Sequence, residues 1–228
     1  MPDLEDFLIK LEQDPVVALN EYNFKVDEES LDFVPGQIGI QDEYKQVDVT
    51  LVDEAQTIKL RAMTSGDSPR NSLRIWYLPW KRWDEVNQMS GVSGATLDNK
   101  GPGIFLTSQL TGCRFTIQYH SGDMTKATVL HLAGNYGENL KGAQARESVE
   151  SEALTNVPTG GMLRRRYSIG RYSKNPKFFK LPVDGVRTYY DGEKATVLGV
   201  RGKDGKWKFF AQQYDRNDAF MKDQVKVL

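Results

Sequence analysis

Cysteine is nearly absent from this chain: Cys113 is the only one in 228 residues, and it is accompanied by only two histidines, His120 and His131. A lone thiol forms no internal disulfide, and three such residues cannot build a zinc site of the usual Cys/His kind, so neither type of staple is expected. Long apolar runs are also missing. The N-terminal stretch MPDLEDFLIKLEQDPVVALNEY carries acids from the third residue onward and reads as neither a secretory signal nor a membrane span. Net charge is lacking too, at −1 with a pI near 6.2, so no global field directs the molecule to nucleic acid or to an anionic membrane.

What is present suits one globular domain over residues 1–228, with 39% hydrophobic and 11% aromatic residues. Leu4, Leu8 and Leu11 fall at helical spacing before Pro15 interrupts, and Val16, Val17 and Leu19 continue an apolar face, which predicts two short helices. Residues 1–55 hold fifteen acids against three lysines, a local net of −12, so the rest of the chain sums to +11. A solvated acidic face is the plain reading of that imbalance, ranked ahead of a surface that mimics or repels an acidic partner.

From Gln46 the pattern turns to period two or to short β-branched runs: VDVTLV, TIKLRAM, LRIWYL, IFLTS, CRFTIQY and ATVLHL. Residues 138–160 read as a long polar excursion with a short helix over 143–153. ATVLGVRG and KWKFFAQQY form a hairpin with Asp204-Gly205 at its tip, and the tail closes in a short helix. The pentapeptide KATVL occurs at 126–130 and again at 194–198, which reads as two strands with similar packing needs rather than a duplication. The expected class is α+β and strand-rich.

Cys113 follows Thr111 and Gly112 at the start of a strand, where glycine permits close backbone approach. Eighteen residues later His131 sits within ATVLHLAG, its two leucine neighbours on the opposite face. Adjacent strands would bring thiol and imidazole together, and a histidine that takes the thiol proton makes a nucleophile suited to acyl transfer from an amide. A buried structural cysteine and a satisfied core histidine are the plain alternative. His120 is a competing partner, ranked second because it falls in the turn after the strand.

The segment LTGC at 110–113 resembles the Leu-Ser-Gly-Cys motif of the cytotoxic necrotizing factor family of deamidases, and more closely that of its single-domain branch, the Burkholderia lethal factor type. Thr107 and His131 match that family's active-site threonine and histidine, and IWYLPWK at 75–81 resembles the Leu-Pro-Trp-Lys strand end of the single-domain branch. Bacterial chemoreceptor deamidases share the Thr, Cys, His arrangement. Thr111 replaces the family serine, and a longer hairpin over 121–126 accommodates a longer Cys-to-His interval. The match covers roughly residues 73–134.

The resemblance implies a β-sandwich of mixed sheets surrounded by helices and loops. It further implies glutamine deamidation without a cofactor: Cys113 as nucleophile, His131 as base, Thr107 orienting His131 or holding the carboxamide, and the backbone near Thr111 and Gly112 stabilising the oxyanion. The implied setting is a monomeric toxin or effector made in a bacterial cytoplasm without a cleavable signal, acting in a host cytosol on a host protein. The translation-initiation helicase is the favoured target and a Rho GTPase the other. A Cys-His transglutaminase or peptidase, or a non-catalytic binding module, are the alternatives. The module reading uses RRRYSIGRYSKNPKFFK at 164–180, which has seven Lys or Arg and no acid. A solvated loop or docking onto an acidic protein ranks ahead of direct nucleic-acid binding for that segment, and no membrane partner is expected. Trp76, Trp80 and Trp83 read as core and rim aromatics before they read as a substrate platform.

Overall fold

The computed structural model describes residues 4–27, 31, 39–41, 44–52, 56–66, 72–82, 88–120, 122–133, 140–155, 157, 166–171, 185–190 and 194–228. The expected N-terminal helices are α1, Leu4–Gln13, and α2, Pro15–Glu21. They are separate because Pro15 has no N–H to continue α1 yet suits the first turn of α2, where the Asp14 side chain accepts from the Val17 amide at 3.1 Å. A third helix, α3, spans Leu140–Leu154.

One sheet has eight strands in the order β1, β4, β3, β5, β7, β12, β13, β14. These are Asn23–Val26, Thr57–Ala62, Tyr44–Val52, Ser72–Leu78, Ile104–Thr107, Lys194–Arg201, Trp207–Tyr214 and Lys226–Val227. The second sheet has six in the order β11, β10, β8, β9, β6, β2: Gly185–Tyr190, Arg166–Arg171, Arg114–Tyr119, Ala127–Leu132, Val92–Leu97 and Gly39–Gln41. Both sheets are mixed, with β5 parallel to β7 in the first and β2 parallel to β6 in the second.

Alternation sorts the side chains into three apolar layers. Trp76, Phe105, Val197 and Phe209 of the first sheet meet Leu97, Phe115, Ile117 and Val129 of the second, which makes a β-sandwich. Phe7, Leu11 and Leu19 of the N-terminal helices cover Ile58, Ile75, Leu106, Leu198 and Phe210 on the outer face of the eight-stranded sheet. Val149 and Leu154 of α3 cover Val92, Leu130 and Leu132 on the outer face of the other. The fold is α+β, and no described helix is long and apolar enough to cross a membrane.

The repeated pentapeptide has a packing explanation: Ala127 and Val129 on β9 and Ala195 and Val197 on β12 enter the same central layer from opposite sheets. The Asp204-Gly205 hairpin is present, with Gly205 at φ +78°, a backbone conformation that favours glycine. Two expectations are corrected. The polar segment after residue 138 is not mainly an excursion, because α3 runs for 15 residues and seats a stripe of small residues on the sheet. The tail ends in strand β14 rather than a helix, since Phe210 and Ala211 of β13 offer it an open edge. Of the basic-aromatic segment at 164–180, Arg166–Arg171 is β10, paired with β8 and β11, and the remainder lies outside the described residues.

Candidate active site

The antiparallel pairing of β8 and β9 sets Phe115 opposite His131 and Arg114 opposite Leu132. Opposite residues share a face. Phe115 belongs to the central layer, so His131 points inward, while Leu130 and Leu132 point out beneath α3. Cys113 lies two residues before Phe115 and is also in the central layer. It is therefore the diagonal neighbour of His131, a relation that sets Cα atoms roughly 7–8 Å apart and leaves the side chains able to converge. Both are buried, at 2% and 1% exposure, and Cys113 forms no disulfide.

The two nitrogens of His131 differ. Nδ1 lies 3.3 Å from the Ser108 hydroxyl, whereas Nε2 is buried without a hydrogen-bond partner among the described residues. Burial pushes the imidazole pKa down to about 3, so the resting ring is neutral. An orphaned polar atom in an apolar layer is costly, and such atoms call for a functional account. A neutral ring with one nitrogen held and the other empty has the form of a base awaiting a proton.

Thr107 is fully buried at the end of β7, and its hydroxyl accepts from the Val197 amide at 3.0 Å. The hydroxyl that meets the His131 ring is Ser108's, one residue further on. The cause is a β-bulge. Leu106 pairs with Leu198, but Leu110 pairs with Ala195, so four steps along one strand match three along the other. Leu110 rejoins β12 through reciprocal backbone bonds of 2.6 and 3.0 Å with Ala195, and the Thr107 hydroxyl satisfies the Val197 amide where the ladder is interrupted.

Past the bulge, Thr111 is exposed and Gly112 is half-buried at φ +98°. A Cβ added to Gly112 would meet nothing within 4 Å. The turn into Cys113 thus leaves open space beside the Gly112 Cα. The Trp-Lys strand end adjoins the same end of the sandwich: the Ser93 hydroxyl on β6, opposite His131, donates to the Pro79 carbonyl. Trp76 is buried, Trp80 is 41% exposed, and Trp83 lies outside the described residues.

His120 stands at the other end of β8. Seven residues of extended chain separate it from Cys113, about 23 Å. Its Nε2 is 2.7 Å from the Thr128 hydroxyl. This distance removes it as a partner for the thiol. A cavity of about 440 Å³ is lined by Phe24, Lys25, Gln109, Thr196, Tyr214 and Asp218, and its lining includes neither Cys113 nor His131. No group of three or more His, Cys, Asp or Glu arranged to hold a metal occurs among the described residues.

Sequence reasoning missed Ser108 and Ser93. Ser108 was visible only as the residue beside Thr107, because a bulge is a register event with no residue signature. Ser93 was missed along with β6, whose VSGATL is buried on both faces and does not alternate. The chain matches no protein-family model and no curated protein.

Proposed function

We propose that the chain is a cysteine-dependent protein-glutamine deamidase that uses Cys113 as nucleophile and His131 as general base. The observation that carries this reading is that Cys113, one residue before β8, lies in the central apolar layer that His131 faces from the adjacent β9, with the empty Nε2 of His131 buried there.

The Cys113 Sγ bonds to the side-chain carbonyl carbon of a glutamine while its proton passes to Nε2. Because burial opposes a lone imidazolium, transfer and attack occur together, and the developing negative charge offsets the cost of protonating the ring. Backbone amides at the Gly112–Cys113 turn would stabilise the oxyanion. The imidazolium returns its proton to the nitrogen, the C–N bond breaks, and ammonia leaves. Water, deprotonated by the same ring, attacks the thioester, the C–S bond breaks, and the thiol is restored with glutamate as product. Deamidation adds one negative charge to the target, enough to disable a glutamine that positions water or RNA. The favoured target is a translation-initiation helicase in a host cytosol, with a Rho GTPase as the alternative; both follow from the lethal-factor and necrotizing-factor resemblance.

The test is peptide mass spectrometry of a eukaryotic lysate treated with wild-type protein or Cys113→Ser. Conversion of amide to acid at one glutamine in the wild-type sample alone supports the reading and names the target. Conversion in neither sample contradicts it. A transglutaminase would instead attach a supplied primary amine, and a peptidase would cut the chain. The burial of Cys113 among Phe115, Val197 and other apolar residues favours one second reading, a structural cysteine in a binding module. That reading predicts a thiol inert to iodoacetamide at neutral pH.

A further inference from the structure

We infer that Ser108, and not Thr107, is the positioning residue for His131; the inference rests on the deamidase reading and deepens it. Thr107 and Ser108 are neighbouring hydroxyl residues, and the bulge gives them different tasks. The Thr107 Oγ1 accepts from the Val197 amide at 3.0 Å, a bond that closes the gap the bulge makes in the β7–β12 ladder. Ser108 is pinned from the other side by its own amide, which donates to the Leu78 carbonyl at the end of β5 at 3.0 Å. Its fully buried hydroxyl lies 3.3 Å from Nδ1 of His131. The hydroxyl opposite His131 on β6 is committed elsewhere, since Ser93 donates to Pro79.

The Ser108 hydroxyl can accept from Nδ1–H or donate to a bare Nδ1, and the two tautomers differ in what they leave at Nε2. When Nδ1–H donates to the Ser108 oxygen, Nε2 carries the lone pair and can take the thiol proton; in the other tautomer Nε2 carries a hydrogen and cannot. A contact of 3.3 Å is at the long end of the hydrogen-bond range, as catalytic hydrogen bonds often are before substrate binds. The serine acts on the thiol only through the ring.

The experiment uses the full chain as wild type, Ser108→Ala, Ser108→Thr and Thr107→Val. It measures the rate of Cys113 alkylation by iodoacetamide against pH, thermal melting, and the ¹⁵N spectrum of the His131 ring. Ser108→Ala is expected to slow alkylation about tenfold, the equivalent of one buried hydrogen bond, and to displace its pH profile. Ser108→Thr keeps the hydroxyl and restores both. Thr107→Val is expected to lower the melting temperature while leaving the rate and profile of the folded protein unchanged. A Ser108→Ala profile that overlays wild type, or a profile moved by Thr107→Val alone, overturns the inference. Should wild-type Cys113 itself be inert, the deamidase reading falls, and the ring spectrum still decides the contact. A proton on Nδ1 in wild type that is lost in Ser108→Ala upholds it, and identical spectra overturn it.

Discussion

The β8–β9 hairpin carries both histidines of the chain, in opposite circumstances. His120, where β8 ends, shares the outer face of its sheet with Gln118 and Thr116, and its Nε2 meets Thr128, which in turn lies 3.3 Å from Thr96 across the next strand. His131, near the end of β9, faces the central layer, with one nitrogen on Ser108 and the other unmatched. Burial lowers the pKa of both rings, with the Lys126 charge as a further cause at His120. Strand parity decides the difference: one residue type on one hairpin is a satisfied structural group on the even face and a candidate base on the odd one. Each of the following substitutions tests how far the two ends differ.

The largest contrast is catalytic. His131→Asn should lower deamidation by a factor on the order of 10²–10⁴, the usual contribution of a positioned general base, while His120→Asn leaves it unchanged. Rates on one purified substrate check both. The next concerns what holds the site end from outside. Arg114 follows Cys113 directly and points away from it, into a buried ion pair of 2.5 Å with Glu150 on α3. Glu150→Ala strands a buried guanidinium and should cost about 3–5 kcal/mol in urea denaturation. The same change at the solvent-exposed Glu12, 3.5 Å from the exposed Lys203, should cost almost nothing.

Acid should separate the two histidines again. The unfolded His131 ring takes its proton near the ordinary value of 6.5, and the folded ring only near 3. The unfolded state therefore binds more protons between those values, and stability falls on acidification through that window by up to about 1.4 kcal/mol per pH unit. His120, also lowered, adds a change of the same sign. Denaturation curves from neutral pH downward should flatten most in His131→Asn and less in His120→Asn. A more modest loss is expected at the turn: Gly112→Ala finds open space but a strained backbone at φ +98°, and should cost about 1–3 kcal/mol in the same urea denaturation.

Much of this arrangement is legible from the sequence. The placement of His131 on the face opposite its leucine neighbours follows from period two alone, although which face is inward does not, and Cys113 falls one residue before β8, the neighbour of the strand that holds His131. The two N-terminal helices and the Asp204-Gly205 hairpin follow from local turn and cap chemistry. The features that were not legible depend on distant partners. Among its described side chains, helix α3 lays Val149, Leu154 and small residues such as Ala145 and Ala153 on its sheet, too weak a stripe to separate it from a polar loop. Strand β14 exists because β13 has an edge to offer. Strand β6 is buried on both faces, so it shows no alternation. Contact between His131 and Ser108 depends on one extra residue in a ladder that pairs segments some ninety positions apart.

The central claim is that Cys113 and His131 work as a pair, and the rate of Cys113 alkylation by iodoacetamide at neutral pH, in wild type and in His131→Asn, tests it most directly. The account predicts a reactive thiol in wild type and a much slower one in the variant, with both proteins folded. Equal rates, or a thiol inert in both, would contradict it.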